Sequence, residues 1–152
     1  MRVYLAAPLF SQSERLWNRK LAKGLEEAVP GCQVVLPQDF RVAGKFNDRA
    51  QFKKLFNHCQ EALRSCDVLL AVLDGADADS GVSYEIGCAH TLGKPVVGLR
   101  TDYRQQQERG VNFMVSQACG AYALELAFSE DLNAIIRKVA RKLKNLKVGQ
   151  GK

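Results

Sequence analysis

The stretch "DVLLAVLD", residues 67–74, restricts the fold more than any other. Six apolar residues follow one another between two aspartates with no polar alternation, so a strand built from them meets water on neither face. Such a strand belongs inside a parallel sheet, and parallel neighbours need crossover connections, usually helices. Related runs recur at "RVYLAA", "CQVVLP" and "KPVVGLR", with a weaker one at "GAYALEL".

Helical spacing fills the gaps between these runs. "SQSERLWNRKLAKGLEEAV" carries Leu16, Trp17, Leu21, Leu25 and Ala28 behind Ser11 or Ser13 as N-cap. "RAQFKKLFNHCQEALRSC" repeats apolar residues at 52, 55, 56, 59, 62 and 63, with Asp48 as its cap after a polar loop containing Gly44. "SGVSYEIGCAHTLGK" reads as a helix ended by Gly93, "NFMVSQAC" as a short helix, and "SEDLNAIIRKVARKLKNL" as an amphipathic helix capped by Ser129. Alternating strand and helix without a long linker or a repeat predicts an α/β fold: a single domain over 1–152 with a five-stranded parallel sheet flanked by helices, in the flavodoxin-like order 2-1-3-4-5. In such sheets ligands sit outside the carboxyl ends of the strands, where the order reverses. That places the candidates at Ala7 to Phe10, at Gln38 and Asp39, at Asp74 to Glu85, and at Arg100 to Asp102.

Several chemistries are excluded. The chain has no G-x-x-x-x-G-K-[ST] phosphate loop, no glycine in "AAPLFSQS" for a dinucleotide fingerprint, no acids after the first strand for a receiver, and no G-x-S-x-G elbow. Five scattered cysteines (Cys32, Cys59, Cys66, Cys88, Cys119) without a C-x-x-C pair argue against a disulfide framework and against a metal site, and no cofactor is expected. Cys66 and Cys88 are expected to pack as small hydrophobes. The first ten residues are too soon broken by Pro8 for a secretory leader, and no run reaches spanning length, so a cytoplasmic protein without membrane contact is expected. The net charge of +6 is concentrated in residues 129–152, which hold seven Lys or Arg and two acids. A packed helix with a solvated basic face accounts for it, and nucleic acid is not an expected partner.

In "DADSGVSYEIG", residues 77–87, Asp79 precedes a helix start at Ser80 and Gly81, and Glu85 follows in the first turn or just beyond. Nearby unpaired amides would favour an ionised Glu85, as suits a nucleophile or a stabiliser of positive charge. The same residues also read as an ordinary helix cap. Asp67 reads as a strand-start acid, Asp74 and Asp77 as solvated loop acids, and Arg100 and Asp102 as either ligand contacts or a structural ion pair.

Taken together, "YLAAPLF", "LPQD", "CDVLLAVLDG…DSGVSYEIGCA" and "VNFMV" keep the order and spacing of four motifs, and the chain resembles the nucleoside 2-deoxyribosyltransferase family from about residue 3 to 118. The resemblance implies that Glu85 attacks the anomeric carbon of a deoxyribose and that Tyr4 orients it. It implies that Asp79 holds the 5′-hydroxyl, with Gly81 beside it, and that Asn112 reaches the same hydroxyl from a neighbouring subunit of a homo-oligomer. Gln38 would contact the nucleobase and Phe10 line its pocket. The implied reaction moves 2-deoxyribose between nucleobases with retention, through a covalent glutamyl adduct. One departure stands out. Many members carry an aspartate eight residues before the position of Asp67, where this chain has Cys59. Either another acid such as Asp39 serves the leaving base, or the set of bases differs. A sister group cleaves deoxynucleoside 5′-monophosphates. Asp79 would repel a phosphate, whereas Ser11, Ser80 and Arg100 would suit one. Hydrolysis of deoxynucleosides or their 5′-monophosphates, and non-catalytic binding of a nucleotide, are the alternatives to transfer.

Overall fold

The computed structural model describes residues 1–41, 49–102, 104, 111–119, 125–126 and 131–146. Asp48 and Ser129, expected as caps, and Gly44 lie outside these. Strand β1 (Arg2–Ala6) leads to helix α1 (Gln12–Ala28), and β2 (Gln33–Val35) to a 3₁₀ turn at Pro37–Asp39. Helix α2 (Arg49–Ser65), β3 (Val68–Val72), α3 (Ser80–Thr91) and β4 (Val96–Arg100) follow, then a short α4 (Phe113–Ala118), β5 (Glu125–Leu126) and α5 (Leu132–Asn145).

All strand pairs are parallel, and β1 lies between β2 and β3 with β4 beyond. The expected order 2-1-3-4-5 is present, with four longer strands and a short fifth at the edge. From "GAYALEL", Glu125–Leu126 are the described residues, and they pair with Leu99 and Arg100 on the outer side of β4. That run lacks the continuous apolar character that fixes β3 and β4, both of which are buried throughout. The order reverses at β1 and β3, so the switch point falls between their carboxyl ends.

Alternate residues of each strand serve two cores. Val3, Leu5, Val68, Leu70, Val97 and Leu99 meet α1 and α5 on one face. Tyr4, Ala6, Leu69, Ala71 and Leu73 meet residues of α2 and α3 on the other. This period of two puts the Tyr4 side chain under α2 and α3.

The helix starts follow capping chemistry. Ser11, not Ser13, caps α1 in a reciprocal capping box with Glu14. Asp131 caps α5, two residues after the expected Ser129. Ile135, Ile136, Val139, Leu143 and Leu146 are buried against the rest of the fold, as the apolar stripe requires. In α2 the expected stripe is only half used: Ala62 and Leu63 are buried, while Phe52 and Phe56 stand exposed. Among the described residues no helix is long and apolar enough to cross a membrane.

Candidate active site

Strand β1 and helices α2 and α3 bring together a tyrosine, a cysteine and a glutamate. The Tyr4 hydroxyl donates to Glu85 Oε1 at 2.5 Å, across 81 residues of sequence. Tyr4 is fully buried and Glu85 partly so. The Cys59 thiol, on α2, is near enough to Tyr4 and Glu85 for the charges of these groups to bear on one another.

The electrostatics differ from the sequence expectation. Glu85 is the sixth residue of α3, past the unpaired amides of the first turn, so the helix end does not favour its charge. Burial instead pushes its carboxyl up to about 7, the Tyr4 hydrogen bond pulls it down, and the charge of Asp79 adds to the rise. Burial, together with the Glu85 charge and the bond to it, holds the Tyr4 phenol far above its ordinary range. Tyr4 is therefore a neutral donor at any working pH. Burial likewise raises the Cys59 thiol, which stays protonated near neutrality.

Asp79 is the N-cap of α3: its Oδ1 accepts from the Val82 amide at 3.0 Å. A Cβ at Gly81 would sit 3.0 Å from that oxygen, so a residue without one suits this position. The capping reading of "DSGVSYE" thus holds, and among the described residues Oδ2 of Asp79 receives no hydrogen bond. Asn112 likewise caps α4, accepting from Met114 N at 2.9 Å on an exposed surface. Phe10 is 80% exposed.

Gln38 is buried and clamped by α1: its Oε1 accepts from Asn18 Nδ2 at 3.2 Å, and its Nε2 donates to the Arg15 carbonyl at 3.0 Å. One N–H and one lone pair remain on the amide. Asp39 forms an ion pair with Arg19 at 2.6 Å. Arg15, Asn18 and Arg19 were not singled out from sequence. Their signal was a polar i, i+3, i+4 set, in which buried Asn18 interrupts the apolar stripe of α1.

A second polar group lies at the same sheet edge. Asp74 accepts from Thr101 N and Thr101 Oγ1, each at 2.5 Å, and from Asp102 N at 3.0 Å. It is therefore a clasp between the β3 and β4 ends, not the solvated acid its sequence suggested. Arg100 is 1% exposed and donates to the carbonyls of Leu73, Gly75 and Arg104. Asp102 accepts from Gly75 N and pairs with Arg104, which holds its carboxyl well below the usual range. Asp67 accepts from Arg2 N at 2.6 Å, a strand-start role as expected. A cleft of about 420 Å³ lies beside this group, lined by Trp17, Asn18, Asp74, Thr101 and Asp102 among others, and Glu85 is not part of its wall.

The fold and this site define a doubly wound α/β protein with a tyrosine-held carboxylate at its topological switch point. A family model for nucleoside 2-deoxyribosyltransferase matches residues 3–115, and the chain belongs to that family. Among solved structures, a conserved protein from Enterococcus faecalis is 25% identical, with a TM-score of 0.76 over 95% of this chain and 97% of that one. A 2-deoxyribosyltransferase from Bacillus psychrosaccharolyticus is 21% identical with a TM-score of 0.67, covering 90% of each chain. A CMP N-glycosidase from Clostridium botulinum is 21% identical with a TM-score of 0.59, over 91% of this chain and 97% of that one. At these identities the last two establish likeness of fold. No curated protein matches the chain. Deoxyribosyl transfer and N-glycosidic cleavage are both in keeping with the family and these neighbours.

Proposed function

We propose that the protein transfers 2-deoxyribose between nucleobases by double displacement through Glu85. The observation that carries this is the 2.5 Å bond from Tyr4 to Glu85 Oε1 at the switch point. It fixes the carboxylate while leaving Oε2 without a partner among the described residues. As the N-glycosidic bond lengthens, the sugar gains oxocarbenium character, and a carboxylate in a poorly hydrated site stabilises that charge strongly. Oε2 then bonds the anomeric carbon as the base leaves with the bond's electron pair. A second base attacks from the original face, and configuration is retained.

Asp79 would hold the 5′-hydroxyl with its free Oδ2, using Oδ1 to keep itself in place. Gly81 allows that placement. Gln38, immobilised by α1, has one donor and one acceptor left for a base edge. Phe10 would cover the base on ordering against it. Asp39, paired with Arg19, is poorly placed to give a proton to the leaving base unless that pair opens. A free nucleoside suits the site better than a 5′-monophosphate. Arg100, the cation that would have favoured a phosphate, is buried with its N–H groups engaged by three carbonyls.

Asn112 would complete the site of a second copy. In support, Phe113 and Met114 beside it are 54% and 66% exposed, and Phe52, Phe56 and Tyr84 expose further apolar surface on α2 and α3. Sedimentation at micromolar concentration checks this: a monomer with full turnover contradicts it.

The test of the reaction is to mix a deoxynucleoside with a different free base and separate the products. A new deoxynucleoside is expected, and Glu85→Ala should form none. Free base and deoxyribose alone would make the protein a hydrolase. Equal background release by wild type and Glu85→Ala, with ligand still bound, would make it a non-catalytic binding module.

A further inference from the structure

Asn18 and Gln38 are both nearly fully buried, and two backbone carbonyls fix which way their amides face. A carbonyl oxygen only accepts, so the Asn18 atom 2.9 Å from the Pro8 carbonyl is Nδ2. By the same rule the Gln38 atom 3.0 Å from the Arg15 carbonyl is Nε2. The two amides then match in one way: Asn18 Nδ2 gives its second proton to Gln38 Oε1 at 3.2 Å. A flipped Gln38 amide would set oxygen against oxygen at Arg15 and nitrogen against nitrogen at Asn18. Arg15 Nη2 also donates to the Gln38 carbonyl, at 3.3 Å, and holds the backbone there.

We propose that Asn18 is a positioning residue that decides which bases Gln38 accepts: it locks the sense of the Gln38 amide, so that a base meets one donor and one acceptor in a fixed order. This rests on the reading of Gln38 as the residue that meets the base. Adenine and cytosine carry an amino donor beside a ring-nitrogen acceptor. Hypoxanthine and uracil carry an oxo acceptor beside a ring N–H, the reverse order at the same two positions. An amide free to turn over suits both sets. A locked amide suits one and leaves buried polar groups mismatched with the other. The sorting is of amino against oxo within one ring size. Asn18 also holds the Pro8 carbonyl, two residues before Phe10, so one side chain ties the segment leading to Phe10 to the base-reading amide.

The experiment measures dissociation constants by calorimetry for deoxyadenosine against deoxyinosine and for deoxycytidine against deoxyuridine. It uses the full chain carrying Glu85→Gln, so that no sugar is transferred. In at least one pair the two members should differ by about tenfold or more. Adding Asn18→Leu removes both bonds at similar volume and leaves only the Arg15 carbonyl to oppose a flip, so the ratio should shrink by about fivefold. Loss of packing alone would weaken both members alike and leave the ratio where it was. An unchanged ratio, or no preference within either pair while Asn18 is present, would overturn the assignment. Should Asn18→Leu not fold, Asn18→Ala decides by the same ratio, because water admitted there can donate or accept and fixes neither sense. Base exchange by the protein with Glu85 intact should follow the same ratios. Binding ratios that respond to Asn18 in a protein that exchanges no base would remove the transfer reading and leave the role of Asn18 standing. Failure of all four to bind would remove the base-reading role of Gln38, and the proposal with it.

Discussion

Two acid-bearing groups share the carboxyl edge of the sheet, and they differ in how far their oxygens are satisfied. Asp74 and Asp102, near β4, accept hydrogen bonds from Thr101, from backbone amides and from Arg104. Their neighbour Arg100 is likewise engaged by three carbonyls. Glu85, under α2 and beside β1, has one phenolic partner and a carboxyl raised to about 7. The first group is closed and binds loops to one another. The second is held but incomplete, and its buried charge favours a neighbouring cation. At a sheet edge rich in acids, the degree of satisfaction separates the structural carboxylates from the one proposed to react.

Removing the reactive oxygen should have the largest effect. Glu85→Gln keeps an acceptor for Tyr4 but cannot form a stable sugar ester, and base exchange should fall by at least about 10³-fold. The same change should stabilise the fold in alkali. The Glu85 carboxyl moves from an ordinary 4.5 to about 7, so its contribution to stability is present below 4.5 and lost as pH rises through 7. Denaturant unfolding at pH 8 should therefore find Glu85→Gln more stable than wild type by on the order of 2 kcal/mol.

The closed group should respond in the opposite way. Arg100→Leu leaves the Leu73, Gly75 and Arg104 carbonyls unpaired and should cost about 3 kcal/mol of stability, measured by urea unfolding. At a temperature where the variant is folded, its Glu85 midpoint should be unchanged. A shifted midpoint would show that the two groups are one network.

Tyr4→Phe should act on the Glu85 group alone. Losing the single donor to Glu85 should raise its midpoint by about one unit and slow turnover at pH 7 by about fivefold. The loss should shrink as pH rises, because more Glu85 is then ionised. A pH-independent loss would point to a different role for the phenol.

The smallest effect is expected at Asp79. Asp79→Asn retains a good N-cap, so stability should change by less than about 0.5 kcal/mol. Removing the charge should lower the Glu85 midpoint by a few tenths of a unit by NMR, since Asp79 contributes to its rise. If the free Oδ2 holds the 5′-hydroxyl, KM should rise more than kcat falls.

Much of the fold is legible in "DVLLAVLD" and its related runs, because a strand buried on both faces allows few arrangements. The fifth strand was the weakest to read because "GAYALEL" mixes glycine and glutamate into its apolar residues; among the described residues, Glu125–Leu126 pair with β4 in the expected place. The nearness of Tyr4 to Glu85 was legible by resemblance, and the structure joins the two by a hydrogen bond. The protonation state of Glu85 was not, because the burial that raises its carboxyl arises only when the elements pack together, whereas the first-turn argument used local neighbours alone. Asp74 looked solvated for the same reason: its partners on Thr101 and Asp102 arrive only when β3 and β4 lie side by side. The clamp on Gln38 was equally non-local, since Arg15 and Asn18 reach it from another element.

The central claim is that the incompletely satisfied Glu85 carries the sugar. Intact-protein mass spectrometry after brief exposure to a deoxynucleoside and acid quench tests it most directly. One added deoxyribosyl group is expected, mapping to the peptide that holds Glu85 and absent in Glu85→Gln. Base exchange by a wild-type protein that never carries the adduct, or an adduct that survives in Glu85→Gln, would contradict the account.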